Sequence, residues 1–306
     1  MNMKDSPFFK QAQLVLQVLP QVATEQCFAL KGGSAINLFV QDLPRLSVDI
    51  DLTYLPISPR DVSLISIENT LLRIAESVRQ VMPGVKIQET RYQSKYLIRL
   101  FVNYQNVQIK IEPNLVIRGT VYPCEKRHLV PHAQVLFELF TSIQTLSIAD
   151  IYGGKLCAAL DRQHPRDIFD LTILMEHEGI SNDIRRAFVI YLAGHPRPIN
   201  ELLNPKLQDI RQVYQSEFLG LTRAPISYEK LITTRQEVID FLKRELTESE
   251  RLFLMSIKEG EPKWELMEIK GIEKLPAIQW KLFNIKKMNK NKHLAAKAKL
   301  KAVLEL

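Results

Sequence analysis

Two short sequences decide the fold of this chain: KGGS at residues 31–34 and, after fourteen intervening residues, DID at residues 49–51. Side chains of an extended strand alternate between its faces, so Asp49 and Asp51 project from one face while Ile50 points into apolar packing. Two carboxylates held this close are tolerated most readily with a divalent cation between them, and hard oxygen ligands suit Mg²⁺ or Mn²⁺ rather than zinc. The pattern predicts a site for phosphate and metal.

The glycine pair follows an apolar run at 27–30 and precedes a helical pattern at 35–40. Glycine lets the backbone approach phosphates closely, and exposed N–H groups at such a turn favour negative charge. Ser34 adds a hydroxyl and is placed to cap the helix. We expect Gly32, Gly33 and Ser34 to contact a nucleotide. Glycine turns also occur for structural reasons alone, and the carboxylates on the next strand make the nucleotide interpretation specific.

A third carboxylate, Glu112, ends an alternating strand pattern at 107–111 whose apolar residues face the other way. An isolated glutamate at such a place is ordinarily a solvent-facing strand residue. If this strand pairs beside the strand at 48–55, however, three carboxylates converge and can hold two divalent ions. This pairing predicts a metal site formed by Asp49, Asp51 and Glu112.

The first half of the chain mixes strand and helix patterns, whereas the second half is mainly helical. This change predicts an α+β protein with two domains, residues 1–145 and residues 146–306. The expected strands are at 27–30, 48–55, 85–91, 96–103 and 107–114. A single long helix is expected at 228–257 in the second domain.

The helical pattern at 147–160 contains a glycine pair directly before Lys155. Two glycines are unfavourable in a purely structural helix, which indicates that another group approaches closely. Lys155 is a candidate phosphate ligand because its ammonium can neutralise triphosphate charge. Surface solvation is the ordinary alternative for a lysine. Arg162 lies seven residues later, on roughly the same helical face.

Taken together, these blocks resemble the AbiEii/AbiGii abortive-infection toxin family of the DNA polymerase β-like nucleotidyltransferase superfamily. The resemblance covers residues ~25 to 180. It implies a polymerase β-like first domain with a mixed sheet, followed by the helical second domain. One departure is the gap between Ser34 and Asp49, which is longer than the usual spacing. The matching blocks are GGS at 32–34, DID at 49–51, KIEPN at 110–114, DIYGGKLCAALDR at 150–162 and RDIFDL at 166–171.

The resemblance implies transfer of a nucleoside monophosphate from an NTP to an acceptor hydroxyl, with release of pyrophosphate. Mg²⁺ or Mn²⁺ is the implied cofactor, with Glu112 also helping to deprotonate the acceptor. The implied catalytic residues are Asp49, Asp51, Glu112 and Lys155, of which the three carboxylates bind metal. The implied nucleotide-binding residues are Gly32, Gly33, Ser34 and Lys155, and the supporting residues are Arg162, Arg166, Asp167 and Asp170.

The resemblance also implies partners: family members are toxins controlled by a separate antitoxin, and some relatives modify the acceptor end of tRNA. A tRNA acceptor fits the charge of this chain, since residues 286–306 hold seven lysines and one glutamate out of a net +7. Such a segment attracts phosphate backbones. It could equally pack as an amphipathic helix through Leu294, Ala298, Leu300 and Leu304.

Three further expectations follow from composition. No apolar run approaches the ~20 residues that cross a bilayer, so we expect no membrane partner and place the protein in the cytoplasm. Three widely separated cysteines predict reduced thiols. The expected function is that of a metal-dependent nucleotidyltransferase of a toxin–antitoxin or phage-defence system acting on RNA. The alternatives are transfer to a protein or small-molecule hydroxyl, and a non-catalytic nucleic-acid-binding regulator.

Overall fold

The computed structural model describes residues 3–306, which divide into two compact units. Unit 1 contains residues up to Ser147 together with Phe218–Pro225. Unit 2 contains Ile148–Glu217 and Ile226–Leu306. The returning segment of unit 1 is fixed by backbone hydrogen bonds from Leu46 N to Leu221 O and from Arg223 N to Pro44 O, both 2.8 Å. No sequence pattern indicated this return.

Unit 1 is built on one mixed seven-stranded sheet with the order β3-β4-β5-β2-β1-β7-β6. The expected α+β fold with a mixed sheet is confirmed; the two strands β6 and β7 were not predicted. The helices and strands of unit 1 are α1 (Phe9–Ala23), β1 (Phe28–Lys31), α2 (Gly32–Ala35), β2 (Asp49–Tyr54), α3 (Arg60–Val81), β3 (Lys86–Tyr92), β4 (Tyr96–Tyr104), β5 (Val107–Asn114), β6 (Glu125–His128), α4 (Pro131–Phe137) and β7 (Ser142–Thr145).

Strand β2 lies at the centre of this sheet, antiparallel to β1 and parallel to β5. Its alternate residues Ile50 and Leu52 are fully buried, as is Ile111 on β5. Helices α1 and α3 pack against the sheet, and α1 contacts both β2 and β5. Burial of one set of alternating residues therefore fixes the strand register and sends Asp49 and Asp51 to the other face.

Unit 2 is helical throughout its described residues, apart from turns and loops. Its C-terminal helix α13 packs through Leu300 and Leu304, which are buried, while Leu294 is exposed. The helices of unit 2 are α5 (Ile148–Arg162), α6 (Pro165–His177), α7 (Asn182–Gly194), α8 (Ile199–Leu203), α9 (Arg211–Val213), α10 (Tyr228–Glu245), α11 (Glu248–Glu259), α12 (Pro276–Lys286) and α13 (Lys290–Leu304).

The expected single helix at 228–257 is in fact two helices, because a new N-terminus forms at Thr247. The Thr247 hydroxyl accepts from Glu250 N at 3.2 Å, and the Glu250 carboxylate accepts from Thr247 N at 2.9 Å. This reciprocal capping box satisfies N–H groups that a helix start otherwise leaves without partners. Its signature, TESE at 247–250, is visible in the sequence.

Among the described helices, none combines the length and apolar character that a membrane span requires. Cys27, Cys124 and Cys157 are free cysteines.

Candidate active site

The two aspartates lie on one face of β2, and the strand register gives each a partner on β5. Asp49 is paired with Lys110, and Asp51 with Glu112. On the other side Asp51 is paired with Lys31 of β1. Because directly paired residues of neighbouring strands share a face, acidic and basic side chains lie side by side across the centre of the sheet. Asp49, Asp51 and Glu112 therefore lie on one face of the sheet, and their convergence on a metal ion stays a prediction.

Glu112 is held by two cations. Its Oε1 accepts from Arg99 Nε at 2.9 Å and also from Arg99 Nη2, while its Oε2 lies 2.8 Å from Lys110 Nζ. Partial burial alone would raise the pKa of Glu112, but the hydrogen bonds from Lys110 and Arg99 outweigh it and lower the pKa. Glu112 is therefore a charged, immobilised carboxylate near Asp51.

Lys110 occupies the middle of this acidic group. Its partial burial would lower the pKa of the ammonium, but the hydrogen bond to Glu112 and the charges of Asp49 and Asp51 together raise it. Lys110 thus stays protonated and offsets repulsion among the three carboxylates. The sequence placed Lys110 in a matching block without giving it a role, and Arg99 was missed. The signal for Arg99 was an arginine inside the apolar strand LIRLF at 97–101.

A divalent cation fits the two aspartates by donor chemistry, since both offer carboxylate oxygens on one face and are only partly buried. Glu112 differs because Arg99 and Lys110 occupy both of its oxygens. Within residues 3–306, no group of three or more His, Cys, Asp or Glu residues is arranged to hold a metal ion. Asp49 and Asp51 are thus the ligands that this geometry fits, and Glu112 as a third ligand stays a prediction.

The glycine turn lies directly against the carboxylate of Asp51. Gly32 has φ +68°, and a Cβ added there would meet Asp51 Oδ2 at 2.9 Å. A Cβ on Gly33 would meet Arg45 Nη2 at 2.6 Å. The absence of side chains at both positions brings the backbone close to one anionic and one cationic group.

Ser34 does not cap the following helix. Helix α2 begins at Gly32 without a side-chain cap and continues as a π-helical turn, Ile36–Val40. The buried Ser34 hydroxyl instead contacts Ser47 Oγ at 2.9 Å and the backbone carbonyl of Asp49. These contacts join the glycine turn to the start of β2. A contact between Ser34 and triphosphate stays a prediction.

Arg45 is a buried arginine that the sequence patterns did not single out. Its Nη1 donates to Leu46 O at 2.9 Å, and its Nη2 lies beside Gly33. A guanidinium kept nearly out of solvent therefore lies beside the glycine turn. Its sequence context, LPRLS at 43–47, has no periodicity that would have marked it.

We expect Gly32→Ala to lower the free energy of unfolding by roughly 1–2 kcal/mol, because an L-residue is strained at this φ, and to reduce activity by displacing Asp51. Urea unfolding and a transfer assay measure both effects. Gly154→Ala in α5 is the matched control, since nothing lies within 4 Å of its added Cβ; it should stabilise by roughly 0.5–1 kcal/mol. A Gly32→Ala protein as stable and active as wild type would contradict the role of this turn.

A second charged cluster lies inside unit 2 and contains Lys155. The Lys155 ammonium is 3.0 Å from Asp167 Oδ1 and 2.8 Å from Asp170 Oδ2, and all three side chains are buried. Arg162 Nε lies 2.5 Å from Asp167 Oδ2. Burial alone would raise the pKa of Asp167, but Lys155 and Arg162 hold it well below its usual range. Four of the sequence-predicted residues are thus brought together here.

Helix α7 is the group that approaches the glycine pair of α5. The contact is made at Gly153, where an added Cβ would meet Ala187 Cβ and Phe188 N, both at 2.8 Å. Helix packing within unit 2 therefore accounts for Gly153, whereas a Cβ added to Gly154 would meet nothing within 4 Å.

Arg166, predicted as a supporting residue, makes its ion pair with a different carboxylate. Its Nη2 lies 3.7 Å from Glu217 Oε2, and the His164 Nε2 is 3.3 Å from the same oxygen. A supporting role for Arg166 in the reaction stays a prediction.

The fold defines the class of protein. MenT4, a nucleotidyltransferase toxin from Mycobacterium tuberculosis H37Rv, matches 90% of this chain and 91% of its own with a TM-score of 0.60 at 16% sequence identity. The fold is therefore that of a nucleotidyltransferase toxin.

The sequence identifies the family. The profile of the AbiEii nucleotidyl transferase toxins of type IV toxin–antitoxin systems matches residues 14–284, and this chain belongs to that family. No curated protein matches it. The expected resemblance is confirmed, the chain is a nucleotidyltransferase enzyme, and the non-catalytic alternative is set aside.

Proposed function

We propose that this enzyme transfers a nucleoside monophosphate from an NTP to a hydroxyl group of RNA, with the tRNA 3′ end as the favoured acceptor. The acceptor oxygen forms a bond to the α-phosphorus, the bond from that phosphorus to the bridging oxygen breaks, and pyrophosphate leaves. The proton of the hydroxyl passes to a carboxylate of the site. The single observation that carries the proposal is the Asp49–Asp51 pair beside the glycine turn, with Lys110 and Lys31 in register with it.

Asp49 and Asp51 would hold Mg²⁺ or Mn²⁺, which when bound neutralises the triphosphate. The turn from Gly32 to Ser34 would approach the phosphates, with the Arg45 guanidinium beside it. Glu112 is suited to positioning Lys110 and to accepting a proton once its ion pairs loosen. Lys155 is proposed to offset pyrophosphate charge, and Asp167 and Asp170 to fix its ammonium.

An RNA acceptor is supported by charge, because a basic segment near the end of the chain favours a polyanion over a neutral acceptor. We further propose a cognate antitoxin, a role in defence against phage, and a site of action in the cytoplasm. Family membership and the absence of a membrane-spanning helix among the described residues are in keeping with these proposals.

The protein incubated with each α-labelled NTP, total RNA and either Mg²⁺ or Mn²⁺ is expected to label an RNA band, and a chelator is expected to abolish the label. All four nucleotides should be compared, because no base-reading pocket is assigned. Label on a protein band instead would indicate that the acceptor is a protein hydroxyl. Absence of transfer with every nucleotide and both metals would contradict the proposed function.

A further inference from the structure

One face of helix α12 is aromatic and open to solvent. Trp280 is 55% exposed and Phe283 is 46% exposed, although the opposite face of the same helix is already buried. Their spacing of three residues, continued by Asn284 and Lys287, places these four on one helical stripe. The buried residues of α12 are Ala277, Ile278, Leu282 and Ile285. The helix contacts within unit 2 therefore leave this stripe exposed to solvent.

The two exposed rings form a parallel stack. Their centroids are 5.6 Å apart and their planes differ by 21°. Lys287 Nζ lies 4.0 Å from the centroid of Phe283. An aromatic pair left in water beside a cation has the composition of a stacking surface for a nucleic-acid base. We call Trp280, Phe283 and Lys287 the α12 platform.

The stretch of chain that carries the platform has basic but no acidic residues. Residues 276–304 contain eight lysines and no aspartate or glutamate. Two of these lysines are engaged within unit 2: Lys281 Nζ donates to His195 O and Arg197 O, and Lys297 is 3.2 Å from Glu259. The other six are exposed, and within residues 3–306 they form no ion pair with a carboxylate: Lys286, Lys287, Lys290, Lys292, Lys299 and Lys301.

Helix α13 holds four of these six lysines: Lys290, Lys292, Lys299 and Lys301. Its buried Leu300 and Leu304 dock it on unit 2, and the helix contacts α11 and α8. The segment is thus a packed helix whose lysines face outward, so packing leaves them open to bind phosphates. The α12 platform lies directly before them in the chain.

We propose that the α12 platform binds an unpaired stretch of RNA, whose bases stack on Trp280 and Phe283 while the neighbouring lysines contact its phosphates. This inference rests on the RNA acceptor proposed above and adds the surface that takes it. Stacked rings beside exposed lysines favour RNA over an acidic protein, because each nucleotide supplies both a phosphate for a lysine and a planar base for the aromatic pair. Stacking also requires unpaired bases, so duplex RNA should bind less tightly.

The fluorescence of Trp280 provides a direct probe of RNA binding at the platform. The chain has two tryptophans, and Trp264→Phe leaves Trp280 as the only one. Titrating this protein with oligoadenylate should quench the fluorescence to saturation, whereas the same strand in a duplex with oligouridylate should quench it less. Tight RNA binding without any quenching would overturn the proposal, as would equal quenching by the duplex.

Point variants measure the contribution of each group. Trp280→Ala should weaken binding of labelled oligoadenylate by roughly fivefold to a hundredfold, as expected for one stacked base. Lys287→Ala should reduce the slope of log K against log salt by about 0.7, the value for one phosphate contact on a single strand. Phe140→Ala is the matched control, since Phe140 is 69% exposed and lies in unit 1; its Kd should equal that of wild type.

The remaining outcomes separate this inference from the proposed function. If wild type labels RNA but Trp280→Ala changes neither the Kd nor the KM for that RNA, the platform is wrong and the proposed function stands. If oligoadenylate quenches the Trp280 fluorescence but no RNA is ever labelled, RNA is not the acceptor, and the α12 platform is still supported as an RNA-binding surface. Loss of antitoxin binding in Trp280→Ala, with unchanged RNA affinity, would assign the surface to a protein and overturn the inference.

Discussion

Asp51→Asn is expected to slow nucleotidyl transfer roughly a hundredfold to a thousandfold, since removal of one preorganised polar group from an active site typically costs about 10²–10³ in rate. The substitution keeps the shape of the side chain and removes its charge. Asp51 is the aspartate that the turn at Gly32 contacts, and it is paired with Glu112 on one side and Lys31 on the other. No other described carboxylate combines these three neighbours.

The same variant should remain folded. Removing a negative charge near Asp49 and Glu112 relieves repulsion, while Lys110 and Lys31 each lose one favourable neighbour. These opposing effects concern partly exposed groups, so the free energy of unfolding should change by less than about 1 kcal/mol. A large loss of activity with little change in stability is the signature of a group that acts on substrate or metal.

Asp61→Asn provides the matched control, because Asp61 is an exposed aspartate in the first turn of α3 in the same unit. It should transfer nucleotide at the wild-type rate. In cells, the toxin with Asp51→Asn should no longer inhibit growth, whereas Asp61→Asn should inhibit it fully. Growth inhibition that survives Asp51→Asn at equal protein levels would show that the toxicity has another source.

The central strands could be predicted from sequence because burial imposes alternation. The patterns at 48–55 and 107–114 each have one apolar face, and β2 and β5 pair with Asp51 opposite Glu112. Strands β6 and β7 have only four residues each, and β6 has no fully buried residue. Short or solvent-exposed strands leave little periodic signal.

Contacts between distant residues were less accessible from sequence. Nothing in the local sequence indicates that Arg99 holds Glu112, or that the Ser34 hydroxyl bonds toward β2 instead of capping α2. The glycine pair before Lys155 did signal a close approach, but only the fold shows that α7 is the approaching group at Gly153. Local patterns thus identified the candidate site residues better than they identified the contacts that each residue makes.

Lys155→Ala is expected to lower the free energy of unfolding by roughly 3–5 kcal/mol, the usual result of removing one partner from a buried ion pair. The ammonium contacts both Asp167 and Asp170, and all three side chains are buried. Its removal leaves carboxylate charge in a site with little water. Asp167 keeps Arg162 as a partner after this substitution.

The matched control is Lys230→Ala. Lys230 Nζ lies 2.8 Å from Glu176 Oε1, a distance equal to that between Lys155 and Asp170, but the two side chains of this surface pair are 42% and 46% exposed. Its loss should change the free energy of unfolding by only ~0.2–1 kcal/mol. Equal destabilisation by the two variants, measured by urea unfolding, would show that burial of the Lys155 cluster does not matter.

The pH dependence of the free energy of unfolding gives a further test of this buried ion pair. In wild type the lowered pKa of Asp167 contributes stability above the ordinary aspartate pKa of ~3.9, and this stability is lost as the pH falls. In Lys155→Ala a buried carboxylate has lost its ammonium partner, so its pKa should be raised. Protonation of this carboxylate as the pH falls then removes the destabilising buried charge. The stability difference between the two proteins should therefore narrow on acidification.

Adding Asp170→Asn to Lys155→Ala separates folding from chemistry. The double variant also removes one of the two buried carboxylate charges that Lys155 contacts, so it should recover part of the lost free energy of unfolding. If Lys155 serves only the fold, nucleotidyl transfer should recover with it. If Lys155 also offsets the charge of the leaving pyrophosphate, stability should return while transfer stays low, because no other group replaces the ammonium. We expect the second result, and recovery of both would restrict Lys155 to a structural role.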